Sequence, residues 1–87
     1  MMTTTGSCRA KFEAAGYIVR EADEDAGIHR VFRPRPDARP LLVGLYVIRS
    51  GRATYAELNG TVFSFLGAPY DTEISRLYRF IRENPSA

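Results

Sequence analysis

Cysteine, histidine and lysine occur once each in this 87-residue chain, and tryptophan does not occur at all. Each scarcity excludes something. A single cysteine, Cys8, forbids an internal disulfide and favours a reducing compartment. One Cys and one His leave a zinc site two ligands short. A thiol–imidazole pair would have to be built from Cys8 and His29 alone. Cys8 lies at an apolar helix position, where a structural thiol is the usual outcome. His29 sits on a strand beside Arg30, which reads as a surface or core-edge residue. The chain also lacks G-x-G-x-x-G and G-K-[ST], so no glycine-rich loop is available to cradle a phosphate. The acidic "EADED" at 21–25 has neither the ligand spacing nor the glycine of a calcium loop and reads as a solvated turn. No catalytic residue, metal or cofactor is expected.

Long hydrophobic stretches are missing as well. The longest apolar run, "LLVGLYVI", is eight residues, far short of the ~20 that span a bilayer. The N-terminus has no basic region followed by an apolar one, so no signal peptide is read there. The expectation is a cytoplasmic protein without membrane association.

Charge excess is small. Eleven arginines and one lysine face ten acids, for a net +2. The acids interleave with most of the arginines, so the basic pI reads as compositional bias more than as a basic surface. Hydrophobic content of 45% and charge of 25% lie in the ordinary globular range. Residues 1–87 are expected to form one small domain with flexible ends at 1–6 and 85–87.

Periodicity supplies the elements. "SCRAKFEAAG" reads as a helix with Cys8, Phe12 and Ala15 on one stripe and Gly16 as its C-terminal cap. "YIVRE" and "IHRVFRP" read as strands around the "DEDAG" turn. "LLVGLYVIR" is a third strand, followed by hairpin signals at "SG" 50–51 and "NG" 59–60. "DTEISRLYRFIREN" closes the chain as a helix, with Ile74, Leu77, Tyr78 and Ile81 on its apolar stripe and Asp71 or Thr72 as its cap. Glu73 is placed to reach Arg76. The fold class is α+β: an antiparallel sheet of about five strands, in the order α-β-β-β-β-β-α, with both helices mainly on one face.

Two-residue turns fix a register by counting. Val47 then opposes Thr54, Leu45 opposes Ala56, and Ala56 opposes Phe63. One face becomes Val43, Leu45, Val47, Thr54, Ala56, Leu58, Thr61, Phe63 and Phe65, the face expected to lie under the helices. The other carries Tyr46, Ile48, Ala53, Tyr55, Glu57, Val62, Ser64 and Leu66. On it Tyr46 opposes Tyr55, with Arg49 and Arg52 beside the turn. Left uncovered, these four residues make a partner-binding patch.

A second candidate is "RPRPDARP". Arg33, Arg35 and Arg39 each precede a proline, which drives them toward extended conformations. The stretch reads as a stiff connector that could present three positive charges to phosphates or acidic groups. Its prolines do not give the P-x-x-P spacing of an SH3 ligand.

Two functions follow as expectations. The first is a non-enzymatic protein-interaction module. Small inhibitors encoded by phages and mobile elements, anti-CRISPR proteins among them, and antitoxin-like partners share this size and chemistry, which is analogy only. The alternative is a small single-stranded nucleic-acid-binding domain that stacks bases on Tyr46 and Tyr55 and grips the backbone with its arginines. A homodimer through the same face, or through an exposed strand edge, is a third occupant of the surface.

Overall fold

A computed structural model describes residues 4–86, with side chains from Cys8 onward. Its elements are α1 (Thr4–Ala14), β1 (Ile18–Asp23), β2 (Ile28–Arg35), β3 (Ala38–Arg49), β4 (Arg52–Leu58), β5 (Thr61–Ser64) and α2 (Tyr70–Glu83). The five strands form one antiparallel meander in the order β1-β2-β3-β4-β5, with a helix at each end of the chain. The α+β architecture read from the sequence is therefore present. Of the ends expected to be flexible, residues 1–3 and 87 lie outside the described residues, while residues 4–6 open α1.

α1 ends as its glycine requires. Gly16 adopts φ +93°, its N–H donates to Glu13 O at 3.0 Å, and the Tyr17 N–H reaches back to Phe12 O at 3.0 Å. This paired closure uses the left-handed conformation that glycine adopts without a steric penalty. The end of the chain returns to the same point. The Ser86 N–H donates to Ala15 O at 2.9 Å, and the Tyr17 hydroxyl donates to Asn84 O.

α2 begins one residue earlier than its acidic signals suggest. Pro69 stands at the N-cap and no side chain caps the first turn, so neither Asp71 nor Thr72 takes that role. Glu73 instead accepts from Arg76 Nη1 at 2.5 Å, as expected. Leu77 and Ile81 are buried from the predicted stripe, with Ile74 and Tyr78 packed at its edge.

The helices share one sheet face. Phe12 of α1 stacks on Tyr46 with ring centroids 5.5 Å apart, and Phe80 of α2 lies 5.5 Å from Phe63. Tyr46 opposes Ala56, which in turn opposes Phe63, so all three project from the same side. The core between helices and sheet holds Cys8, Phe12, Val31, Tyr46, Leu58, Phe63, Leu77 and Ile81, each almost fully buried.

Candidate functional site

Both hairpin turns of the meander lie where the sequence places them. Ser50 and Gly51 have φ of 52° and 76°, and Asn59 and Gly60 have 52° and 87°. Positive φ at both central residues is the turn whose twist matches flanking strands. Arg49 opposes Arg52 and Ile48 opposes Ala53, as counted. The next pair is Val47 with Tyr55, which leaves Thr54 as an extra residue on β4. Beyond this bulge every β3 residue opposes a β4 residue one place further on.

The bulge corrects the expected faces. Tyr46, Ile48 and Ala53, expected on the open side, are buried under the helices; Tyr46 is 0% exposed. Leu45 and Val47, expected in the core, project from the uncovered side opposite Glu57 and Tyr55. Ala56, Leu58, Phe63 and Phe65 are buried as expected. Tyr46 and Tyr55 are thus on opposite faces, and no paired-tyrosine patch exists.

The open face can be read row by row from the ladder. One row runs Arg20, Arg30, Leu45, Glu57, Val62 across β1 to β5. The next runs Asp23, Ile28, Val47, Tyr55, Ser64. A shorter one holds Ile18, Phe32 and Leu42. Leu42 and Val62 are 53% and 52% exposed. Neither α1 nor α2 lies over this side, so among the described residues Leu45, Val47 and Tyr55 form the middle of an apolar face bounded by Arg20 and Arg30 on one flank and Glu57 on the other. Leu45 and Glu57 also line a shallow depression with Leu42, Val43, Gly44 and Asn59.

The other expected site residues are dispersed. The Arg52 guanidinium lies 4.0 Å over the Tyr70 ring, while Arg49 is exposed at the turn. "RPRPDARP" does lead from β2 into the central β3, but most of it is strand. Residues 33–35 finish β2, Pro36 and Asp37 make a turn, and Ala38 begins β3, with Arg35 opposite Ala38. The reason is positional. β1 pairs with β2 only as far as Phe32, and β4 pairs with β3 only as far as Gly44. Past those points each strand has one neighbour, so Pro34 and Pro40 interrupt no central ladder. The result is a two-stranded arm that overhangs the sheet, with Arg33, Arg35 and Arg39 exposed. Arg35 Nε donates to Arg39 O at 2.7 Å, which clasps the arm internally.

The two nucleophile or base candidates are part of the packing. The Cys8 thiol is fully buried 3.9 Å from the Tyr78 hydroxyl, and burial pushes its pKa up to about 11. His29 is buried at the core edge, its ring stacked on Tyr46 at 4.8 Å and 10°. Burial lowers its pKa, with Glu21 opposing and Arg9 adding to the shift. Among the described residues, no three His, Cys, Asp or Glu side chains gather as ion ligands, and no helix is long and apolar enough to cross a membrane.

No protein-family model matches the chain, no curated protein is significantly similar to it in sequence, and no solved structure is significantly similar to it in fold.

Proposed function

We propose that this protein is a non-enzymatic protein-interaction module whose working surface is the open sheet face. The observation that carries this reading is the one-sided layering. Both helices cover a single face, and the other carries Ile28, Phe32, Leu45, Val47, Tyr55 and Val62 with no layer over them. Two-layer domains bury one sheet face, and the second face of an antiparallel sheet is ordinarily polar. A large apolar patch rimmed by charge is the profile of a binding surface. The expected Tyr46 contact is withdrawn, and Tyr55 stays.

The test is differential. Val47→Asp and Tyr55→Asp each put a carboxylate in the middle of the face without touching the core. Both should abolish retention of partners from a lysate of the source cells, while circular dichroism and thermal melting stay as in wild type. Retention of the same proteins by all three forms would remove the reading.

One observation favours the nucleic-acid alternative: Tyr55 shares its face with the adjacent Arg20 and Arg30. Under that reading Tyr55→Ala weakens single-strand binding by ~1–3 kcal/mol. Wild-type protein that binds no single strand at low salt would eliminate it.

A further inference from the structure

The open face carries its own complement. Arg30, Leu45 and Glu57 lie in one row on β2, β3 and β4, and Ile28, Val47 and Tyr55 lie in the row beside it. Leu45 and Val47 therefore mark a midline, with a cation to one side and a carboxylate equally far to the other.

Among the described residues neither charge is answered. Arg30 opposes Arg20 on one side and Leu45 on the other, and Glu57 opposes Leu45 and Val62. Among the described residues, neither Arg30 nor Glu57 forms an ion pair. Asp23 stands at the β1 end of the neighbouring row, and within the row of the two arginines the acid is Glu57, two strands from Arg30 across a leucine.

We propose that the occupant of this face is a second copy of the same chain, packed sheet to sheet about a two-fold axis along β3. The proposal rests on the reading of the open face as the working surface, and it names the partner. Such an axis exchanges the two sides of the midline while keeping position along the strands. Leu45 meets Leu45, Val47 meets Val47, and Ile28 meets Tyr55. Arg30 of each copy meets Glu57 of the other, so every one of these charges is paired once and the dimer holds two such pairs. An axis across the strands would instead set Arg30 against Arg30. Self-complementarity of this kind defines a two-fold interface, and aligned sheets pack with strands about 30° apart.

The two sheet edges offer less: β5, on one side, is only four residues long. On β1 the Arg9 Nη2 donates to Val19 O at 2.8 Å, and the strand carries Arg20, Glu21 and Asp23. An edge occupied by a guanidinium and lined with charge resists strand addition. The apolar face is left as the surface for pairing.

The experiment is charge reversal read by sedimentation equilibrium at micromolar concentrations, with circular dichroism as the check on folding. Wild type should have twice the mass of one chain. Arg30→Glu, Glu57→Arg and Leu45→Asp should each bring the mass down to one chain. Both charges reversed in one chain should restore the dimer. An equimolar mixture of the Arg30→Glu and Glu57→Arg proteins should also dimerise, because each supplies what the other lacks. That mixture separates contact between copies from any effect within one chain.

A folded wild type that stays at one-chain mass overturns the dimer. If it still retains a lysate protein that Val47→Asp loses, the interaction reading survives without it. A dimer indifferent to all three single changes places the contact elsewhere, and both inferences fall. Single variants that dissociate without rescue in the mixture overturn the two-fold pairing.

Discussion

Phe12, Tyr46 and His29 stack in series, with centroids 5.5 Å and 4.8 Å apart, from α1 through the central strand β3 to β2. Aromatic contacts of this kind contribute beyond their buried area, yet two polar atoms in the column, His29 Nδ1 and the Tyr46 hydroxyl, are buried without a hydrogen-bond partner. An unpaired buried polar group costs about 1–3 kcal/mol. Tyr46→Phe removes the hydroxyl and keeps the ring, so it should raise stability by about 1 kcal/mol, read as a higher urea midpoint. A lower midpoint would show that the hydroxyl holds a bond to a buried water. His29 gives a pH dependence. Its folded pKa lies below the ordinary 6.5, chiefly through burial, so the unfolded chain binds a proton first as the pH falls. This contribution to stability is whole above pH 6.5 and declines as pH drops toward the lowered native value, below which the loss is complete. His29→Phe should flatten that part of the urea-midpoint profile. An unchanged slope would assign it to the carboxylates.

At the scale of elements, the meander depends on close backbone approach and on bulges. Gly44 opposes Leu58 in mid-sheet, and a Cβ added there would stand 2.2 Å from Glu57 O, a backbone atom with no rotamer to yield. Gly44→Ala should therefore destabilise by ~1–3 kcal/mol, as overpacking does, measured by chemical denaturation. A neutral result would mean that β3 and β4 can part locally. The bulges also explain what could be read beforehand. Helix stripes and both turns were legible, because Leu77 and Ile81 recur at helical spacing and Asn59–Gly60 needs positive φ. The register of β4 against β5 followed from its turn. The register of β3 against β4 did not, because Thr54 is compatible with a regular strand and only packing reveals it as extra. Tyr46 illustrates the consequence: one supernumerary residue, eight positions away in sequence, moves it from surface to core. "RPRPDARP" misled for a different reason. Prolines argue against central strands, and only the topology shows that this segment lies beyond its neighbours.

For the whole molecule, the governing feature is that one sheet serves two solvents. Its helix-covered side obeys core chemistry, with Ala56, Leu58 and Phe63 sealed from water. Its other side combines β-branched and aromatic residues with four charges, Arg20, Asp23, Arg30 and Glu57, too apolar for a solvated surface and too charged for an interior. Sheet-to-sheet pairing would turn a two-layer domain into a four-layer assembly with a central sandwich. Salt should then have a divided effect: it weakens the Arg30–Glu57 contacts by screening and leaves the Leu45 and Val47 contact intact. Dimer mass should accordingly loosen modestly with added salt and vanish with Leu45→Asp.

The overhanging arm has a consequence for proteolysis. It projects three arginines into solvent on a narrow two-stranded ribbon, which would ordinarily make it the first site for a trypsin-like protease. Each of those arginines is followed by proline: Arg33 by Pro34, Arg35 by Pro36 and Arg39 by Pro40. The ring fixes the backbone and occupies the leaving nitrogen, so these bonds are poor substrates for cleavage. Limited trypsin digestion should leave the arm uncut while a protease of different specificity opens it at the exposed Leu41 or Leu42. An exposed arm of the protein is thereby shielded by its covalent chemistry, where the rest of the chain relies on being folded.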